Sequence, residues 1–135
     1  YLLSLSMYSH TFFLVILLLS CKKNRDNEYI KIYADTLDNL YRYALVLEGI
    51  KKNNSITGMD KSLLIQYQRE ITALHKRAGT FGEEYERKPE IRKKLRDILI
   101  KITIAQTHIV QMQNQIKNIP GASELFSDLQ SRSSE

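Results

Sequence analysis

The sequence predicts an all-α protein, and three observations carry that reading. Three stretches place apolar residues alternately three and four apart, the seam pattern of helices packed along a shared face. Five Gly and two Pro are too few for a many-turned β-sandwich. All 35 charged residues lie in the 115 residues from position 21 onwards, a balance that excludes a polytopic membrane protein and a fully disordered chain. The chain has 135 residues, enough for one domain, and a formal net charge of +5. Its single cysteine excludes an internal disulfide framework and any multi-cysteine metal site.

The first 20 residues contain no Asp, Glu, Lys or Arg. Within them, residues 12–19 (FFLVILLL) are eight consecutive apolar residues, the length of a signal-peptide core. A spanning helix needs about 20 predominantly apolar residues. Here Ser4, Ser6, Ser9, His10 and Thr11 interrupt the first half. The run closes on Leu18-Leu19-Ser20-Cys21, immediately before KKNRDNE. This segment resembles the lipobox of bacterial lipoproteins. The resemblance implies cleavage between Ser20 and Cys21, a signal peptide over 1–20, and a diacylglyceryl thioether on Cys21, usually with a palmitate-type acyl chain on its amine. Two or more chains give stable anchoring, whereas one is marginal. Lys22, rather than Asp, follows the cysteine; by the same resemblance this implies the outer membrane of the cell envelope rather than the inner. The chain departs from the pattern in having no Lys or Arg before the apolar run, and a start at Met7 would shorten the leader. The competing readings are a signal anchor and a buried core helix with a core cysteine.

Residues 21–28 are expected to be a polar, lipidated tether. The first helix is expected over 27–52 with Asn27 as its N-cap. Its seam is Ile30, Tyr33, Leu37, Leu40, Ala44 and Leu47. A loop follows at KNNSITG. The second helix is expected over 60–87, capped by Asp60, with the seam Leu64, Tyr67, Ile71, Leu74, Ala78 and Phe81. Gly79 either closes this helix, leaving Thr80-Phe81-Gly82-Glu83 to start a short turn as a capping box, or the helix runs through both glycines at about 1 kcal/mol each. The third helix is expected over 89–119 with Pro89 in its first turn. Its seam is Ile91, Leu95, Ile98, Ile102, Ala105, Ile109, Met112, Ile116 and Ile119. Pro120-Gly121 stops it. Ser123 is expected to cap a short tail helix carrying Leu125, Phe126 and Leu129, with residues 131–135 disordered.

Three long helices with short connections predict an antiparallel up-down-up three-helix bundle over 29–119 with coiled-coil-like seams. An intermolecular coiled coil is the competing architecture. In the bundle the connection between the second and third helices returns to the Cys21 end. That end gathers Lys22, Lys23, Arg25, Arg92 and Lys93, candidate contacts for lipid headgroups at about 1 kcal/mol each. The opposite reading is a solvated face, since Glu83, Glu84, Glu86 and Glu90 share the region.

Candidate chemistry is sparse. His75 and His108 would sit about 16 Å apart along such a bundle, too far to share a metal, so no metal and no cofactor are expected. No phosphate-binding loop, nucleophile elbow or HExxH motif occurs, so no enzyme is expected. Tyr29, Tyr33, Tyr41 and Tyr43 beside basic charge are one pattern of nucleic-acid binders. Tyr33 falls on the seam, however, and an exported protein meets little nucleic acid, so none is expected. Leu45, Val46, Ile65, Ile100 and Ile104 lie off the seams and form a candidate partner surface. The expected function is therefore a lipid-anchored, non-catalytic module for protein interaction, self-association or envelope structure. The alternative is a small-ligand or metal sensor on a helical bundle, and an enzyme of unknown type is third.

Overall fold

The computed structural model describes residues 2–134, with side chains from Lys22 onwards. The described residues form five helices and no strand. These are α1 (Leu2–Asn53), α2 (Gly58–Gly79), α3 (Glu83–Arg87), α4 (Pro89–Ile116) and α5 (Ala122–Arg132). The protein is all-α, as its seams predict, and its packing is consistent with a helical bundle. Among the described residues no helix is long and apolar enough to cross a membrane.

The largest difference from expectation is at residues 22–28, which are helical and continuous with the rest of α1 rather than a tether. Asn27 caps nothing. The reason lies outside the segment: Arg25 stacks on the rings of Phe81 and Tyr85, and Asp26 lies beside Lys88. Contacts from the α2–α4 connection thus hold a polar turn that has no seam of its own.

The α1–α2 connection is tight. Asn54 takes a left-handed backbone (φ 50°) and its N–H donates to the Lys51 carbonyl. Thr57, not Asp60, is the N-cap of α2. Asp60 N–H donates to Thr57 Oγ1 at 3.1 Å, while Thr57 N–H donates to Asp60 Oδ2 at 2.8 Å. Asp60 thus fills the third helical position of a capping box, where Glu is more usual. The second helix ends at Gly79 rather than running through both glycines, but Gly79 is its last helical residue and not a left-handed C′, with Thr80 at the C-cap. The short α3 that follows has Gly82 at its N-cap with φ 81° and no side-chain cap, so the expected Thr80 box does not form. Pro89 is in the first turn of α4, as expected. The α4 helix stops at Ile116, short of the expected end at 119. Gly121 (φ 86°), rather than Ser123, stands at the N-cap of α5, and helix continues to Arg132 through part of the tail expected to be disordered.

Helix directions follow from cross-helix pairs. Arg77 pairs with Glu28 at 3.6 Å, so α2 runs back along α1 from the short connection at 54–57. His108 pairs with Glu48 at 3.0 Å and Lys51 Nζ donates to Gln115 at 2.6 Å, so α4 runs in the same direction as α1. Thus α1 packs against both α2 and α4, and α5 returns over α2, where Gln68 Nε2 donates to the Leu129 carbonyl.

The interior has two parts. The main core joins Leu40, Tyr43, Ala44, Leu47 and Ile50 of α1 to Leu64, to Ile102, Ala105, Ile109, Met112 and Ile116 of α4, and to Leu125 and Leu129 of α5. A smaller cluster at the Cys21 end joins Tyr29, Tyr85, Ile91 and Leu95. On α4 the buried residues are the expected seam, except that Ile98 is only half-buried. On α1 they are not: Tyr29 and Ile32 are buried, whereas the seam residues Ile30, Tyr33 and Leu37 are half-buried. A helix with neighbours on two sides buries a face wider than a single seam.

Candidate functional surfaces

The residues carrying the lipoprotein resemblance, Ser20 and Cys21, lie outside the described side chains. The neighbouring end of the protein is well defined. Tyr29, Tyr33, Phe81 and Tyr85 form a ring cluster in which four pairs of centroids are each 5.2 Å apart. Such contacts add about 0.5–1.5 kcal/mol per pair beyond burial. Arg25 lies 5.3 Å from the Phe81 centroid, and Lys88 Nζ lies 3.9 Å from that of Tyr85. Burial pushes the Tyr85 hydroxyl above its ordinary range, helped by the neighbouring Asp26 carboxylate, while Arg25 opposes the shift. Burial and the hydroxyl of Tyr33 push Tyr29 far up in the same sense. Asp26 Oδ1 is buried with no hydrogen-bond partner among the described residues, and Lys88 Nζ at 3.9 Å supplies a counter-charge.

Of the basic residues expected to face lipid, Lys22, Lys23, Arg25, Arg92 and Lys93 are all exposed, and the structure places them at one end of the protein. Two of them are engaged: Arg25 with the rings, and Arg92, whose Nε donates to the Glu86 carbonyl at 2.8 Å. Sequence reasoning missed Tyr85, the centre of this end. Its only signal was the spacing of four from Phe81.

The expected partner surface divides. Leu45, Ile100 and Ile104 are 64%, 51% and 63% exposed, whereas Val46 and Ile65 are half-buried against the main core and do not join them. Tyr41, not singled out from the sequence for this surface, is 48% exposed and belongs with the first three. The Glu48–His108 pair shows why. Leu45 and Tyr41 lie one and two turns before Glu48, and Ile104 and Ile100 lie one and two turns before His108. On parallel helices these ladders run side by side, giving an apolar strip on the α1–α4 face closed at one end by an ion pair. Residues of the same face one turn apart cover each other only partly, so the strip remains in contact with water.

His75 is exposed on α2, while His108 is on α4 against Glu48. Tyr29 and Tyr43 are inside the protein rather than on a basic surface. Burial raises the Tyr43 hydroxyl, and a hydrogen bond with Gln113 partly offsets this. An open, largely apolar cleft of about 390 Å³ lies between α2 and α4, lined by Leu40, Tyr43, Gln68, Ile71, Gln106, Ile109 and Val110. Gln68 and Gln106 supply side-chain amides in that wall, and no ionisable group but Tyr43 lines it among the described residues, which suits apolar contact better than acid–base chemistry.

No protein-family model matches the chain, and neither a curated protein nor a solved structure matches it.

Proposed function

We propose that the protein is a lipid-anchored, exported envelope protein whose helical body presents an apolar strip to a protein partner or to a second copy of itself, without catalysis. The single observation that carries this reading is Leu18-Leu19-Ser20-Cys21 at the junction of an uncharged apolar leader and a charged helical body. The lipid on Cys21 would hold the protein at a bacterial envelope membrane, the outer membrane in organisms that have one. The body is an up-down-up bundle of α1, α2 and α4; the opposed direction of α2 and the common direction of α1 and α4 support it. The strip of Tyr41, Leu45, Ile100 and Ile104 supports the interaction role, because these large apolar side chains remain in water among the described residues.

The test is Cys21→Ala in the full chain, expressed in a bacterium that processes lipoproteins. The unaltered protein is expected to partition into the membrane fraction, with an intact mass that reports loss of residues 1–20 and gain of lipid. The variant should lose the lipid mass and leave that fraction. A membrane-bound variant, or an unaltered protein with neither cleavage nor lipid, overturns the anchor.

A second reading rests on the α2–α4 cleft. Its largely apolar lining suits a small apolar ligand, which would make the body a sensor or carrier. Saturable binding of an apolar fluorescent probe, abolished by Val110→Lys in the exposed wall of the cleft but not by Ile104→Lys, would favour this reading over the first.

A further inference from the structure

The segment next to the cysteine is helix, and that changes how the protein must stand on a membrane. A free seven-residue linker would let the body wander over about 15 Å or more. The observed helix does not. Lys22 is only about 4.5 Å along the axis from Arg25, and Arg25 is stacked on Phe81 and Tyr85. Asp26, one residue further on, is 3.9 Å from Lys88 at the start of α4. The residue after the cysteine is thus tied within one helical turn to the α2–α4 connection. A lipid on Cys21 would therefore bring α3 and the first turn of α4 to headgroup level at the same time.

The chemistry of that end fits phospholipid. Lys22, Lys23, Arg87, Arg92 and Lys93 are exposed there. Of the carboxylates at this end, Asp26 lies against Lys88 and Glu83 pairs with Arg87 at 3.3 Å. Glu84, Glu86 and Glu90 offset much of the remaining charge. The net field is therefore weak, and individual ammonium and guanidinium groups meet phosphates while the helix sets the geometry.

We infer that α1 is a rigid strut that seats the α3 end of the protein against the headgroups of its anchoring membrane, with Lys22, Lys23, Arg92 and Lys93 contacting lipid phosphates. This deepens the anchoring proposal and rests on it. The α1–α2 connection, which begins 32 residues after Lys22, then stands about 48 Å along the helix axis from the surface.

The experiment uses the full lipidated chain in vesicles containing phosphatidylglycerol and phosphatidylcholine, with an energy-transfer acceptor on the headgroups. One donor dye is attached through Glu84→Cys in α3 and another through Ser55→Cys in the far connection; the acylated Cys21 cannot take the dye. Strong transfer from position 84 and weak transfer from position 55 are expected, and the order should persist in vesicles of phosphatidylcholine alone. A Gly-Ser linker inserted between Cys21 and Lys22 should bring the two values together. Equal transfer from both sites without the linker, or an order that reverses without anionic lipid, overturns the strut and leaves the anchor standing. A chain that fails to float with the vesicles at all overturns the anchor, and the strut with it.

Discussion

Ile102 and Ile104 lie two residues apart on α4 and face opposite environments, so the pair tests the packing directly. Ile102 is 8% exposed and Ile104 is 63% exposed. Fully burying such a side chain is worth about 1.5–3 kcal/mol, and the cavity left by truncation raises the cost of Ile102→Ala to about 2–5 kcal/mol. At Ile104 only about a third of the side chain is covered, which scales the transfer contribution to about 0.5–1 kcal/mol. Water fills the space, so no cavity contribution is added. Alanine also has the better helix propensity by a few tenths of a kcal/mol. Ile104→Ala is therefore expected to change stability by less than about 0.5 kcal/mol, at least about 1.5 kcal/mol less than Ile102→Ala. Equilibrium urea unfolding of residues 22–135, followed by far-ultraviolet circular dichroism, measures both. Comparable losses at the two positions would show that α4 is rotated from the arrangement described, and the apolar strip would then be part of the interior.

The strip itself makes a second prediction: Ile100→Lys with Ile104→Lys should leave the helix content and unfolding midpoint nearly unchanged while weakening self-association in sedimentation or partner binding in crosslinking. Unchanged association would remove this face from the interaction role. Alkaline pH gives a third. Tyr29, Tyr43 and Tyr85 all have hydroxyls held above their ordinary value of 10.0 in the fold. Their contribution is fully present below pH about 10 and is lost as pH rises, by about 1.4 kcal/mol per pH unit for each tyrosine that ionises only when unfolded. Urea unfolding at several pH values above about 10 should show this decline, and Tyr29→Phe should make it shallower; identical slopes would mean that Tyr29 ionises equally well in the fold. Finally, Thr57→Ala removes the α2 cap and should cost about 1 kcal/mol, with Asp60→Ala adding little to the double variant because both belong to one box. Full additivity would contradict that pairing.

The legible parts of the sequence were those where one helix meets one environment. The α4 seam was readable because a single stripe from Ile91 to Ile116 is buried. The α1 seam was only partly readable, since packing between α2 and α4 brings Tyr29, Ile32, Tyr43 and Ile50 inside as well. The same breadth explains Val46 and Ile65, which looked surplus to a narrow seam but are the flanks of a wide face. Thr57 is hard to read as the cap because Asp60, three residues on, is itself a favoured capping residue. The helical course of residues 22–28 was not visible because no pattern within that segment demands it; its support is Tyr85, isolated in the polar run EEYERK. Leu45, Ile100 and Ile104 fall off the seams in the sequence and are exposed in the fold, whereas no seam argument groups Tyr41 with them.

The division of the interior into two clusters has a consequence for motion. Tyr33 and Ile98 touch both clusters, so the two are coupled in series along α1 rather than independent. The smaller one, built around rings packed edge-on or tilted, can open without exposing Leu47 or Ile50, which are fully buried at the other end. Amide hydrogen exchange should therefore be graded along a single unbroken helix, slowest around Leu47 and Ile50 and faster towards Arg25. A protein built this way yields first at the end nearest its proposed anchor, so a pull on the anchor would loosen the ring cluster before it reached the main core.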